Sequence, residues 1–177
     1  CDGVHVDAAL VPDARALHAL ATGEARVVIS SATALLPRVS APAVLTGLAL
    51  DLRAGNDIDA TDLASTLAEA GFTRTDPVDE HGEFCIRGGV IDIFPAGDDQ
   101  PARIELIGDT VETIRRYDPG TQRSVGEIDR LRVVPLRECP DAGPENQDSH
   151  LPLVPFFDYL GAAKRPVFLV SEPDEIR

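Results

Sequence analysis

The chain has 177 residues, 44% of them hydrophobic and 26% charged, which is material for one globular domain or two small ones. Thirty acidic residues against sixteen basic ones give a formal net charge of −14. That balance argues against a segment that grips nucleic acid or an anionic membrane by itself, since both need a basic footprint.

Residues 1–47 read as α/β. Pro12-Asp13 opens a helical pattern through Leu10, Ala14, Leu17 and Ala21 that stops at Gly23, with proline near the first turn and glycine past the end. Arg26-Val27-Val28-Ile29 predicts a short buried strand. Ser30-Ser31 then caps a second short helix through Leu35-Leu36, ending near Pro37. Helix, buried strand and helix suggest part of a parallel α/β layer.

From Leu48 the texture changes. Leu48, Leu50 and Leu52 alternate with Ala49, Asp51 and Arg53 as a half-buried strand. Asp59 or Thr61 caps a helix with Leu63, Leu67 and Ala70 on one stripe, and Gly71 ends it. Phe72 to Val78 is a weak strand, demoted by Pro77. Two hairpins follow: Glu83–Arg87 turns at Gly88-Gly89 into Val90–Phe94, and Arg103–Ile107 turns at Gly108-Asp109 into Val111–Tyr117. Asp118-Pro119-Gly120 is a further turn. The expectation is an antiparallel meander covered by one helix, an α+β unit over 48–125. Residues 126–177 then return to an α/β pattern, with a strand at Leu131–Val134, a linker at 139–150, a short apolar helix at Leu153–Leu160 and a buried strand at Val167–Val170. The predicted fold class is α+β, an antiparallel-sheet interaction domain inserted between two halves of an incomplete α/β domain.

Chemistry is sparse. Fifteen of the sixteen basic residues are arginine and Lys164 is the only lysine, so no G-x-x-x-x-G-K-[ST] phosphate loop can be written. Cys1, Cys85 and Cys139 form no C-x-x-C pair, and His5, His18, His81 and His150 are scattered, so neither a disulfide framework nor a metal site is indicated. The cysteine usage reads as cytoplasmic, and the apolar stretches fall short of the roughly 18 residues of a membrane span. No methionine occurs, even at position 1, so the chain is expected to be a piece of a longer protein. Asp92, Asp98, Asp99, Glu105, Asp109 and Glu112 are read as turn and solubility residues, with a stand-alone acidic hydrolase using Asp92 or Glu105 as a remote alternative.

Period-2 alternation puts Phe84 and Ile86 on the covered face and Glu83, Cys85 and Arg87 on the other; Ile104 and Leu106 point in while Arg103, Glu105 and Ile107 point out. Two outward arginines and an outward apolar side chain fit a protein-docking patch, because arginine is enriched at interface hot spots. The alternative is an ordinary solvated sheet surface.

The strings His81–Pro95, Pro101–Asp109 and Tyr117–Ser124 together closely resemble the bacterial transcription-repair coupling factors, in the N-terminal module that is similar to the excision-repair protein UvrB. The resemblance extends weakly to Ala25–Val39 and Leu151–Arg177. It implies a domain that binds UvrA, set between halves of a degenerate RecA-like motor fold. The family's UvrA-contacting arginines fall on Arg87 and Arg103, and a third contact, usually aromatic, falls on Ile107, where isoleucine offers less area and no π face. The implied work is non-catalytic: recruiting UvrA to stalled RNA polymerase. ATP and Mg, RNA polymerase and DNA would be engaged by other parts of the parent, and a C-terminal domain of the parent would mask the UvrA surface at rest. The corresponding segment of UvrB is the second reading, although Thr121-Gln122-Arg123-Ser124 looks more like the coupling factors.

Overall fold

The computed structural model describes residues 4–5, 14–25, 27–137, 152–162 and 167–169. They fall into two compact units, residues 1–47 with 144–177, and residues 48–143.

In the first unit Val4–His5 (β1) and Val28–Ile29 (β2) pair in parallel, with the helix Ala14–Ala21 (α1) between them in sequence. Gly23 ends α1 with a φ of 74°, a conformation that glycine adopts without a Cβ clash. The strand expected to be buried is only partly so: Val28 packs against this unit's core, whereas Val27 and Ile29 are exposed. The expected second helix is a single 3-10 turn, Thr33–Leu35, with Ala32 at its N-cap and no side-chain cap there; Ser31, one residue earlier, accepts at Oγ from the Ala34 N–H at 3.3 Å. Arg38–Ser40 (β3) and the helix Pro42–Leu48 (α2) have no counterpart among the predicted elements. Leu153–Leu160, expected to be one helix, is instead a strand, Leu153–Pro155, followed by a 3-10 helix, Phe156–Ala162. The strand pairs antiparallel with β3, Val154 opposite Val39; a short apolar run does not by itself distinguish strand from helix. Ala14, Leu17, Val39, Leu45, Phe156 and Tyr159 make this unit's core, and the Tyr159 hydroxyl donates to the Ser40 carbonyl. Val167, Phe168 and Leu169, expected in a buried strand, are exposed and in no strand. The expected linker at 139–150 lies outside the described residues.

The second unit begins with Leu50–Arg53 (β4) and the helix Ala60–Glu69 (α3). Asp59 is the N-cap of α3: its Oδ1 accepts from the N–H groups of Thr61 at 2.7 Å and Asp62 at 3.1 Å. These bonds hold its carboxyl below the ordinary carboxylate value. Six strands follow: Thr73–Arg74 (β5), Glu83–Arg87 (β6), Val90–Ile93 (β7), Ala102–Ile107 (β8), Thr110–Tyr117 (β9) and Ser124–Glu127 (β10). They form one sheet in the order β10-β9-β8-β7-β6-β5. Both hairpins turn where the glycines predict, with Arg87 opposite Val90 and Ile107 opposite Thr110.

Three features depart from a plain meander. The edge strand β5 runs parallel to β6, where an antiparallel arrangement was expected. β10 adds a sixth strand that the sequence did not reveal, all four of its residues being exposed and so carrying no alternation. Arg130–Val133 (β11) pairs antiparallel with β4, Leu131 opposite Leu52, so it belongs with the sheet-bearing unit and not with a returning α/β segment.

One core joins α3, the β4–β11 ribbon and the inner face of the sheet through Leu52, Leu63, Leu67, Phe84, Ile91, Ile93, Ile104, Ile114, Leu131 and Val133. A bulge helps to set it. Glu105 pairs with Thr113 but Leu106 pairs with Val111, so Glu112 is the extra residue. Val111 and Ile114, three apart, therefore both point inward.

Candidate protein-docking surface

The opposite face of the sheet is built by the register. Cys85 lies across from Asp92, Asp92 from Arg103, and Arg103 from Arg115, forming one row over four strands. A second row runs Arg87, Val90, Glu105 and Thr113. Arg87 and Arg103 thus share a face, as alternation predicts, and Ile107 ends β8 at 68% exposure.

Between the two arginines lies Asp92, which the sequence suggests as a turn or solubility residue. It sits instead inside β7 at 1% exposure. Arg103 donates to it twice, Nε to Oδ1 at 2.7 Å and Nη2 to Oδ2 at 2.9 Å. Arg87 donates Nη2 to Oδ2 at 2.8 Å and Nη1 to Asp76 Oδ1 at 2.8 Å. A buried carboxylate is tolerable only when paired and hydrogen-bonded, and here two guanidinium groups do both.

Arg103 is the more enclosed of the pair, its side chain 26% exposed against 46% for Arg87. Its guanidinium carbon lies 4.6 Å from the centre of the Tyr117 ring, within cation–π range. Its Nη2 also donates to Gln122 Oε1 at 3.1 Å. The hydrogen bonds to Asp92 raise the Arg103 pKa, outweighing its partial burial. Gln122 is held in turn: its φ is 58°, and its Nε2 donates to the Pro119 carbonyl at 2.9 Å. Asp118 closes that turn by accepting at Oδ1 from the Thr121 N–H at 2.7 Å.

The face is not bare sheet throughout. The segment after β5 covers one end, where Val78, Cys85 and Phe94 form a small cluster. Tyr117 is buried there, its hydroxyl donating to the Val78 carbonyl at 3.2 Å, and burial pushes its pKa up. Cys85, expected on an open face, is therefore buried and free.

Of the other candidate carboxylates, Asp98 and Asp99 line one open surface pocket with Gln100 and Arg116, and Glu105 lies elsewhere on the sheet. Glu105 accepts from Thr113 Oγ1 at 3.1 Å and lies 3.5 Å from Arg115 Nη1, while Asp98 pairs with Arg116 Nη2 at 2.6 Å. Both carboxylate oxygens of Asp92 accept from the two arginines. Among the described residues no three His, Cys, Asp or Glu side chains come together as a metal site, and no helix is long and apolar enough to cross a membrane. What the face offers is a set of oriented cationic donors beside an exposed isoleucine.

Residues 50–138 match the family described as the UvrB interaction domain. The chain belongs to that family. Among curated relatives it is 35% identical to the transcription-repair-coupling factor of Bacillus subtilis over 122 residues, 69% of this chain and 10% of the relative. Against the factor of the same name from Escherichia coli it is 32% identical over 124 residues, 70% of this chain and 11% of the relative. A UvrABC system protein B from Haemophilus influenzae is 41% identical over 87 residues, 49% of this chain and 13% of the relative. The chain thus spans about a tenth of the length of the relatives it matches. The match covers β4 through β11, so all strands of the candidate face lie within the matched region.

Proposed function

We propose that this chain is a non-catalytic adaptor segment of a transcription-repair coupling factor, and that the outer face of its six-stranded sheet binds UvrA. The observation that carries the reading is the placement of Arg87 and Arg103 on one face beside exposed Ile107, at the positions to which the family resemblance assigns the contacts. In the parent, this binding would recruit UvrA to stalled RNA polymerase. The flanking unit would belong to a degenerate RecA-like fold, a C-terminal domain of the parent would mask the face at rest, and ATP and Mg would serve motor domains elsewhere in the parent.

The test is a calorimetric titration of the chain against UvrA, beside the Arg87→Ala/Arg103→Ala double variant, with circular dichroism as folding control. Removing charged hot-spot partners is expected to weaken binding by at least about tenfold. A loss below about threefold in a folded variant counts against the reading. Ile107→Asp is a second probe outside the core, expected to weaken binding without moving the unfolding midpoint, since its side chain is already in solvent.

The UvrABC system protein B relative supports a second reading, the same interaction domain within UvrB. Both readings put UvrA on this face. They differ in the parent, and sequence contiguous with residue 1 that carries a phosphate loop would favour UvrB.

A further inference from the structure

Asp92 is the one buried carboxylate among the described residues, and the docking reading gives it no task. Its geometry suggests one. Arg103 meets it through two donors and Arg87 through one, so a single carboxylate ties together side chains from β6 and β8. Gln122, fixed in its turn, supplies a further acceptor to Arg103, and the Tyr117 ring lies beneath it.

We propose that Asp92 is a positioning residue of this docking surface: it holds the Arg87 and Arg103 guanidinium groups in one arrangement before the partner arrives, with Gln122 as the second tie on Arg103. This rests on the reading that the face binds UvrA. An arginine side chain loses considerable rotamer freedom when it is immobilised in an interface, and fixing it beforehand removes that cost from binding. The arrangement also limits what a partner meets. Arg103 has Nε and Nη2 committed, which leaves Nη1 for a partner, and the two arginines are balanced by Asp92 and the exposed Asp76, so a partner meets directed N–H donors and not two independent positive charges.

Two measurements test it. The first uses the wild-type chain alone: 15N relaxation at the arginine Nε–H groups. Arg103 should be as ordered as the backbone amides of β8, while the more exposed Arg53 side chain tumbles faster; an Arg103 as mobile as Arg53 overturns the proposal. The second is a double-mutant cycle against UvrA. Asp92→Asn removes one acceptor charge in nearly the same volume and should weaken binding about fivefold, after which Arg87→Ala should cost less than about twofold more. If Arg87→Ala costs the same in the Asp92→Asn background as in the wild type, Asp92 supports the fold only and the proposal fails. Should Asp92→Asn not fold, the relaxation measurement decides alone. Absence of binding by the folded wild type would sink the docking reading itself, whereas a mobile Arg103 with intact binding would sink only the positioning role.

Discussion

Arg87 and Arg103 look equivalent in sequence, yet their environments predict different costs when they are removed. Arg103 supplies two of the hydrogen bonds that neutralise Asp92, is mostly enclosed, and stacks over Tyr117. Arg103→Ala would leave a buried carboxylate with Arg87 alone, and breaking a buried pair in this way should lower stability by about 3 kcal/mol. Arg87 is nearly half exposed and divides its donors between Asp92 and the exposed Asp76, so Arg87→Ala should cost about 1 kcal/mol. Urea midpoints of the two single variants would check this, and equal losses would contradict it. The asymmetry explains why binding experiments on Arg103 need a folding control. It also marks what was legible. The outward arginines follow from alternation alone, but the burial and pairing of Asp92 do not. The Gly88-Gly89 turn fixes Cys85 opposite Asp92, whereas the longer connection from β7 to β8 sets no register, so the pairing of Asp92 with Arg103 had no local signal.

At the level of elements, α3 is the part that the sequence states most completely: a cap at Asp59, a stripe through Leu63 and Leu67, and a stop at Gly71 with a φ of 94°. The cap gives the acid response a sign. The N–H groups of Asp62 and Thr61 hold the Asp59 carboxyl below its ordinary value of 3.8, so its folded-state pKa is the lower one. Its contribution is therefore fully present above pH 3.8 and is lost as pH falls through the folded value. Asp59→Ala should lower the melting temperature at pH 7, and the gap from wild type should narrow progressively below about pH 4. A gap that stays constant down to about pH 2 would mean that the carboxylate charge plays no part in the cap. Three of the segments that depart from expectation share a different property. β10 is exposed on every residue, β5 is only two residues long, and the apolar stretch at Val167–Leu169 has no cover among the described residues. In none of these does an alternating burial pattern exist for the sequence to display.

On the scale of the whole chain, where the sheet-bearing unit ends decides whether it can stand by itself. Read from the sequence, the unit closes at residue 125, just after the Asp-Pro-Gly turn. The register of β11 against β4 places a required strand beyond that point. Leu131 and Val133 are fully buried in the same core as Leu52, Leu63 and Leu67, and β11 forms the second half of the ribbon covering that side. Burying two such side chains is worth about 3–6 kcal/mol, a large part of the roughly 5–15 kcal/mol that holds a domain together. A fragment spanning residues 48–137 should therefore unfold cooperatively in urea and give the same result as the full chain in the UvrA titration. A fragment ending at 125 should lose the cooperative transition and the near-ultraviolet signal of packed Tyr117, although it keeps both Arg87 and Arg103. If the shorter fragment instead unfolds with the same midpoint as the longer one, β11 contributes little to the core and the unit is the bare sheet with its helix.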